Sequence, residues 1–108
     1  MKRFFTFFTL ILLTLTSITA QTVVNITDAS ITAGQKVTWT KNNVYLCDGL
    51  VFVEEGAELT IEAGTVVKFT PRADLGNPSA LVIARGAKIY ANGTAQAPIV
   101  FTAQADDV

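Results

Sequence analysis

A step of 30 residues lays one stretch of this 108-residue chain onto another. Ile31-Thr-Ala33-Gly34-Gln-Lys-Val37-Thr-Trp39 aligns with Ile61-Glu-Ala63-Gly64-Thr-Val-Val67-Lys-Phe69. Val51-Phe-Val53-Glu-Glu-Gly56-Ala57-Glu-Leu59 aligns with Leu81-Val-Ile83-Ala-Arg-Gly86-Ala87-Lys-Ile89. Internal similarity at this period marks units that bury their apolar faces only by stacking on one another. A register slip at Asn92-Gly93 and extra residues in Ala95 to Pro98 then place Ile99 and Phe101 opposite Val67 and Phe69.

Within each unit apolar and polar residues alternate over short stretches, the period of a half-buried strand. The period predicts inward columns Ala29/Leu59/Ile89, Ile31/Ile61/Ala91, Val37/Val67/Ile99, Trp39/Phe69/Phe101 and Val23/Val53/Ile83. Ser30/Thr60/Tyr90 and Thr38/Lys68/Val100 are expected to face outward. Glycines punctuate the strands where a bend needs positive φ or a missing side chain. Three short strands per turn at this period predict an all-β fold, a right-handed parallel β-helix. No stretch shows apolar residues at i, i+3, i+4, i+7 over three turns, which excludes a helical fold. The other all-β option, a Greek-key sandwich, does not require column identity at a fixed offset. The segment Pro71–Ser79, with two Pro, a Gly and an Asn, is expected to leave the coil as a surface loop.

Residues 1–20 carry a basic start (Lys2, Arg3), an apolar run from Phe4 to Leu13 and a small residue, Ala20, at their end. This is the layout of a secretory signal peptide. The run is about half of the ~20 residues that span a hydrocarbon core. Residues 21–108 then form the mature part. Without Lys2 and Arg3 the 8 basic residues fall to 6 against 9 acidic ones, a net charge of -3. An acidic chain with scattered Lys and Arg argues against nucleic acid as a partner, and membrane contact is expected only during export.

The chain has no His and one Cys, which excludes a Ser-His-Asp triad, a His-based zinc site and a Cys-His pair within these residues. Cys47 has no partner for a disulfide and is expected to be a small buried hydrophobe. Glu54, Glu55, Glu58 and Glu62 fall within nine residues but are expected to form a solvated face rather than a calcium site or a glycosidase pair. Asp106 and Asp107 are a weak pair on their own. No catalytic residue, cofactor-binding residue or metal ligand is assigned, and no cofactor is implied. Asn25-Ile-Thr27 and Asn92-Gly-Thr94 match the glycosylation acceptor pattern and are expected to be turn residues. Phe52 and Tyr90 are expected to be outward aromatics that could stack on sugars.

A stacked coil needs a cap, and Ile99-Val-Phe101-Thr-Ala is followed by neither an amphipathic helix nor a polar lid. Leaving such a floor bare forfeits roughly 200 to 400 Å² of burial, about 5 to 10 kcal/mol at ~25 cal/mol/Å². The expectation is that these are N-terminal coils only, continuing beyond the given chain, or that a capping chain covers the open end.

The stretch Tyr45–Phe69, with Leu59-Thr-Ile-Glu-Ala-Gly-Thr, and the stretch Ala80–Thr102, with Arg85-Gly-Ala-Lys-Ile, Gly93-Thr and Pro98-Ile-Val-Phe-Thr, carry a resemblance. They look like the opening coils of secreted β-helix repeat proteins of Bacteroidota-type bacteria. The resemblance implies further coils, a cell-surface or secreted location and, often, a C-terminal sorting domain of the gliding-associated secretion route. It carries over no catalytic residue, because the shared motifs are core and turn positions. Two functions are therefore expected. One is a structural, adhesive or ligand-binding scaffold whose partner is a surface polysaccharide or a protein. The other is the start of a β-helix carbohydrate-active enzyme, a polysaccharide lyase or glycosidase, with its active site downstream.

Overall fold

The computed structural model describes residues 21–73 and 76–108, so the expected signal peptide lies outside the described residues. Nine strands run β1 (Thr22–Ile26), β2 (Lys36–Trp39), β3 (Asn43–Cys47), β4 (Leu50–Val53), β5 (Glu58–Ile61), β6 (Val66–Phe69), β7 (Ala80–Ile83), β8 (Lys88–Ala91) and β9 (Val100–Ala103). They stack into three parallel sheets, β1-β3-β6-β9 (sheet A), β2-β5-β8 (sheet B) and β4-β7 (sheet C). The chain visits A, C and B in turn, which is the path of a parallel β-helix. In the first coil a 3-10 turn, Asp28–Ser30, stands where sheet C would have a strand. Its Asp28 Oδ1 accepts the Phe52 N–H of β4 at 3.2 Å, and Ser30 closes it by accepting the Thr27 N–H at 3.0 Å.

Corners of one design let strands of four or five residues bend into a coil. In Glu54–Ala57, Glu62–Thr65 and Ala84–Ala87 the fourth residue's N–H donates to the first residue's carbonyl, at 2.9, 3.1 and 3.0 Å. The third residue of each is a glycine in the left-handed region, with φ of 80° at Gly56, 88° at Gly64 and 85° at Gly86. That is the pattern of a type II turn, which an L side chain at that position strains. Thr32–Gln35 repeats it around Gly34, φ 78°.

The register corrects the predicted period. Val37 pairs with Leu59 and Trp39 with Ile61, and Tyr45 pairs with Val67 and Cys47 with Phe69. Each is a step of 22 residues, not 30. The longer step holds between the next two coils on two sheets, where Leu59 pairs with Ile89 and Ile61 with Ala91, and Val53 pairs with Ile83. It grows to 34 on sheet A, where Val67 pairs with Phe101 and Phe69 with Ala103. The basic coil is thus 22 residues. Strands β3 and β4 are joined by Asp48 and Gly49, whereas β6 and β7 are joined by residues 70–79, eight more. Likewise β5 and β6 are joined by residues 62–65 but β8 and β9 by residues 92–99, four more.

The match of Ile31–Trp39 to Ile61–Phe69 therefore compared one corner with the following corner of the next coil. A coil of 22 plus one strand-and-corner step of eight, Gly56 to Gly64, makes 30. Ile31, three residues before Gly34, belongs with Val53 and Ile83, which stand three before Gly56 and Gly86. Val23 and Ala29 leave the predicted columns: Val23 faces solvent at 58% exposure and Ala29 sits in the exposed 3-10 turn. Trp39 does not stack over Phe69 and Phe101 but lies face to face with Tyr45, ring centroids 4.7 Å apart and planes 12° apart.

The core holds Ile26, Ile31, Trp39, Tyr45, Cys47, Val51, Val53, Ala57, Leu59, Ile61 and Val67. Two polar groups inside it are satisfied locally. The buried Thr65 hydroxyl donates to the Glu62 carbonyl at 2.6 Å, and Tyr45 Oη accepts the Thr40 N–H at 2.8 Å. Leu59, with no exposed surface, sits between Val37 and Ile89 on its ladder. Replacing it with Ala should cost about 3 kcal/mol, the range for a leucine cavity in a packed core. Thr60→Ala on the outer side of the same strand should stay within about 0.5 kcal/mol. Urea titration of the two variants against the parent checks both.

Candidate functional site

Three walls and two ends are the surfaces a β-helix can offer. The wall of sheet B is polar in rows that follow the register. Lys36, Glu58 and Lys88 form one row of alternating charge, and Thr38, Thr60 and Tyr90 form the next. Sheet A differs: its outward positions carry a row of four valines, Val23, Val44, Val66 and Val100, on successive rungs. Beside it run Asn25, Leu46, Lys68 and Thr102. Val23, Val44, Leu46, Lys68 and Gln104 line a shallow groove of about 250 Å³ there. Sheet C turns out Leu50 and Phe52 on β4 and Ala80 and Val82 on β7.

Phe52 and Tyr90 accordingly lie on different walls, Phe52 half-buried on sheet C and Tyr90 exposed on sheet B. They do not make one sugar platform. The four glutamates also part company. Glu58 faces out between two lysine rungs, Glu62 Oε1 accepts the Lys41 N–H at 2.9 Å, and Glu55 lies over the Gly86 corner. Among the described residues no group of three or more His, Cys, Asp or Glu is placed to hold a metal ion. Asp106 is bound into a turn, where the Thr102 hydroxyl first, and then the Asp107 N–H, hold its carboxyl below its ordinary range.

Residues 71–73 and 76–79 lie outside the strands at the corner between sheets A and C, within the stretch Pro71–Ser79 expected to be a loop. They are anchored at both ends of the corner. Arg72 Nη2 meets Asp48 Oδ1 at 2.9 Å, and Ser79 Oγ accepts the Gly49 N–H at 3.0 Å.

The two ends of the described coils differ most. In the first coil Ile26, Ile31 and Trp39 are buried. In the last coil Ile89 is 37% and Phe101 47% exposed, although both occupy inward ladder positions. Phe69, Leu81, Ile83, Ile89 and Phe101 surround an open apolar hollow of about 420 Å³ at this end. Strands β7, β8 and β9 each carry an edge with no partner strand among the described residues. Sequence alternation foresaw an uncovered apolar floor. It placed Val100 outward but Val23 inward and did not see the row as such, because an outward Val has the same sequence signal as an inward one.

The profile of the pectate-lyase-like β-helix domain family matches residues 29–108. The chain belongs to this family. The match spans every strand from β2 to β9 and both excursions, so the parallel stacking of the three sheets is the family's fold. No curated protein and no solved structure matches the chain. Among the described residues no helix is long and apolar enough to cross a membrane.

Cys47 is free and fully buried, and burial pushes its thiol up to about 11. The unfolded chain therefore releases this proton first as pH rises. Stability linked to Cys47 is complete below the ordinary thiol range and falls between about pH 9 and pH 11. Cys47→Ala should remove that part of the alkaline loss in denaturant titrations across this range. At neutral pH a thiol reagent should label Cys47 only in denaturant.

Proposed function

We propose that residues 21–108 form the opening coils of an exported β-helix protein of the cell surface or the medium. Its role is structural, adhesive or ligand-binding. The observation that carries this reading is the contrast between the ends: core residues of the first coil are buried, while the last coil presents Ile89 and Phe101 in ladder register. An end of this kind suits the stacking of further coils or of a capping chain. Residues 1–20 supply the export signal on this reading, so contact with a membrane is confined to export.

Its binding partners are a surface polysaccharide or another protein, taken on the walls that the coils extend; nucleic acid is not among them. The Bacteroidota-type origin and a C-terminal sorting domain belong to the same proposal and rest on the sequence resemblance alone. A second reading is favoured by the matched family's description as pectate-lyase-like: these coils begin a polysaccharide lyase or glycosidase whose reacting carboxylates or basic residues stand on later coils. A shared β-helix does not by itself carry an activity.

The intact mass of the native product, captured with an antibody against residues 21–108, tests the proposal. A mass several times that of residues 21–108, found at the cell surface or in the medium, is expected. A cytoplasmic product that still carries residues 1–20 would overturn it. Assay of the captured protein for release of unsaturated sugars from acidic polysaccharides separates the enzyme reading from the scaffold reading.

A further inference from the structure

We propose that Asn92-Gly93 is a site of spontaneous covalent modification, at which the Asn92 carboxamide becomes a carboxylate through a cyclic imide. The pair follows the last residue of β8, Ala91, and opens the connection 92–99 to β9. Both residues are exposed. Neither the Asn92 carboxamide nor the Gly93 N–H has a hydrogen-bond partner among the described residues. Gly93 brings no side chain to crowd the approach of its own nitrogen to Asn92 Cγ.

The chemistry balances with water alone. The Gly93 amide nitrogen bonds to Asn92 Cγ, the C–N bond of the carboxamide breaks, and the displaced nitrogen takes up the Gly93 proton and leaves as ammonia. Water then opens the five-membered imide at either carbonyl. One opening gives aspartate, and the other gives isoaspartate, with the main chain routed through the side-chain carboxyl. Nothing is oxidised or reduced.

Every other asparagine in residues 21–108 is blocked for a stated reason. Asn25 lies inside β1 and is followed by the branched, buried Ile26, and Asn43 lies in β3 before Val44. The N–H that would attack Asn42 belongs to Asn43 and is donated to the Thr40 carbonyl at 3.2 Å. Asn77 precedes Pro78, which has no N–H. The chemically related pair Asp48-Gly49 is locked as well. Its glycine N–H is given to Ser79 Oγ at 3.0 Å, and its carboxylate is held by Arg72 at 2.9 Å.

The position gives the modification an effect on the fold. An added Cβ at Gly93 would come within 2.9 Å of the Ile99 nitrogen, so the connection closes on itself at this point. Thr94 and Ala97 hold the loop beyond it, by the Thr94 N–H to the Ala97 carbonyl at 3.2 Å and the Ala97 N–H to Thr94 Oγ1 at 2.9 Å. Isoaspartate lengthens the main chain by one carbon at this neck, beside the coil end that carries β9.

The test is to hold the purified full-length protein in mildly alkaline buffer, digest samples over time and follow each asparagine by mass spectrometry. The peptide spanning Asn92 should gain roughly 1 Da, as an amide becomes a carboxyl. It should resolve into two forms, one labelled by an isoaspartyl methyltransferase, and react at least about ten times faster than any other asparagine. Asn92→Gln should show neither change, and Asp48 should isomerise only when the protein is kept in urea. Retention of the Asn92 amide for as long as those of Asn25 and Asn43 would overturn the proposal.

Discussion

Each coil of this protein has no partner for its backbone except the coils above and below it. A strand of four residues cannot satisfy its own N–H and C=O groups, and a buried amide left unpaired costs roughly 1 to 3 kcal/mol. The stacking answers this through the corners as well as the strands. Glu58 N–H donates to Gln35, Glu62 to Trp39, Lys88 to Ala57 and Val100 to Thr65, at 2.8 to 3.0 Å. The bonds between coils thus follow the chain almost continuously around its turn. The inward columns exist because this ladder fixes which side chains lie above one another.

Much of the fold was legible in sequence, because strand alternation and corner glycines are local signals. The inward pairs Leu59/Ile89, Ile61/Ala91 and Val53/Ile83 follow from the 30-residue step, since the two coils that contain them differ in sequence position by that amount on sheets B and C. The first coil was misaligned because successive corners share one sequence, an aliphatic residue three before a glycine. Ile31-Thr-Ala-Gly34 matches Ile61-Glu-Ala-Gly64 better than it matches its stacking partner Val53-Glu-Glu-Gly56. Likeness there reports a common turn geometry rather than a shared column. The 3-10 turn Asp28–Ser30 that stands in for a sheet C strand is tied to the next coil by the Phe52 N–H, 24 residues later, a contact that no local pattern records.

The surfaces were less legible than the core. Lys36, Glu58 and Lys88 announce an outward row by their charge, but the valines of sheet A announce nothing about direction. The candidate binding surfaces of this protein are therefore set by register. Phe52 and Tyr90 were separated onto two walls by the position of one corner, Glu54–Ala57, between the sheets that carry them.

The outward valine row has a further consequence, for the fidelity of folding. A slip of one residue turns every side chain of a strand to the opposite face. On sheet A such a slip would exchange Val24 for Val23, Tyr45 for Val44 or Leu46, and Val67 for Val66, but it would also turn Asn25 or Lys68 inward from the row beside the valines. Among the strand residues of sheet A the charge that resists the wrong pairing is Lys68, since the valines add nothing. On sheet B the same slip would bury Lys36, Glu58 or Lys88, charges with no partner inside. Sheet B, with a charge on each of its strands, rejects misaligned coils more strongly than sheet A, and the four-residue corner between β5 and β6 ties the two registers together.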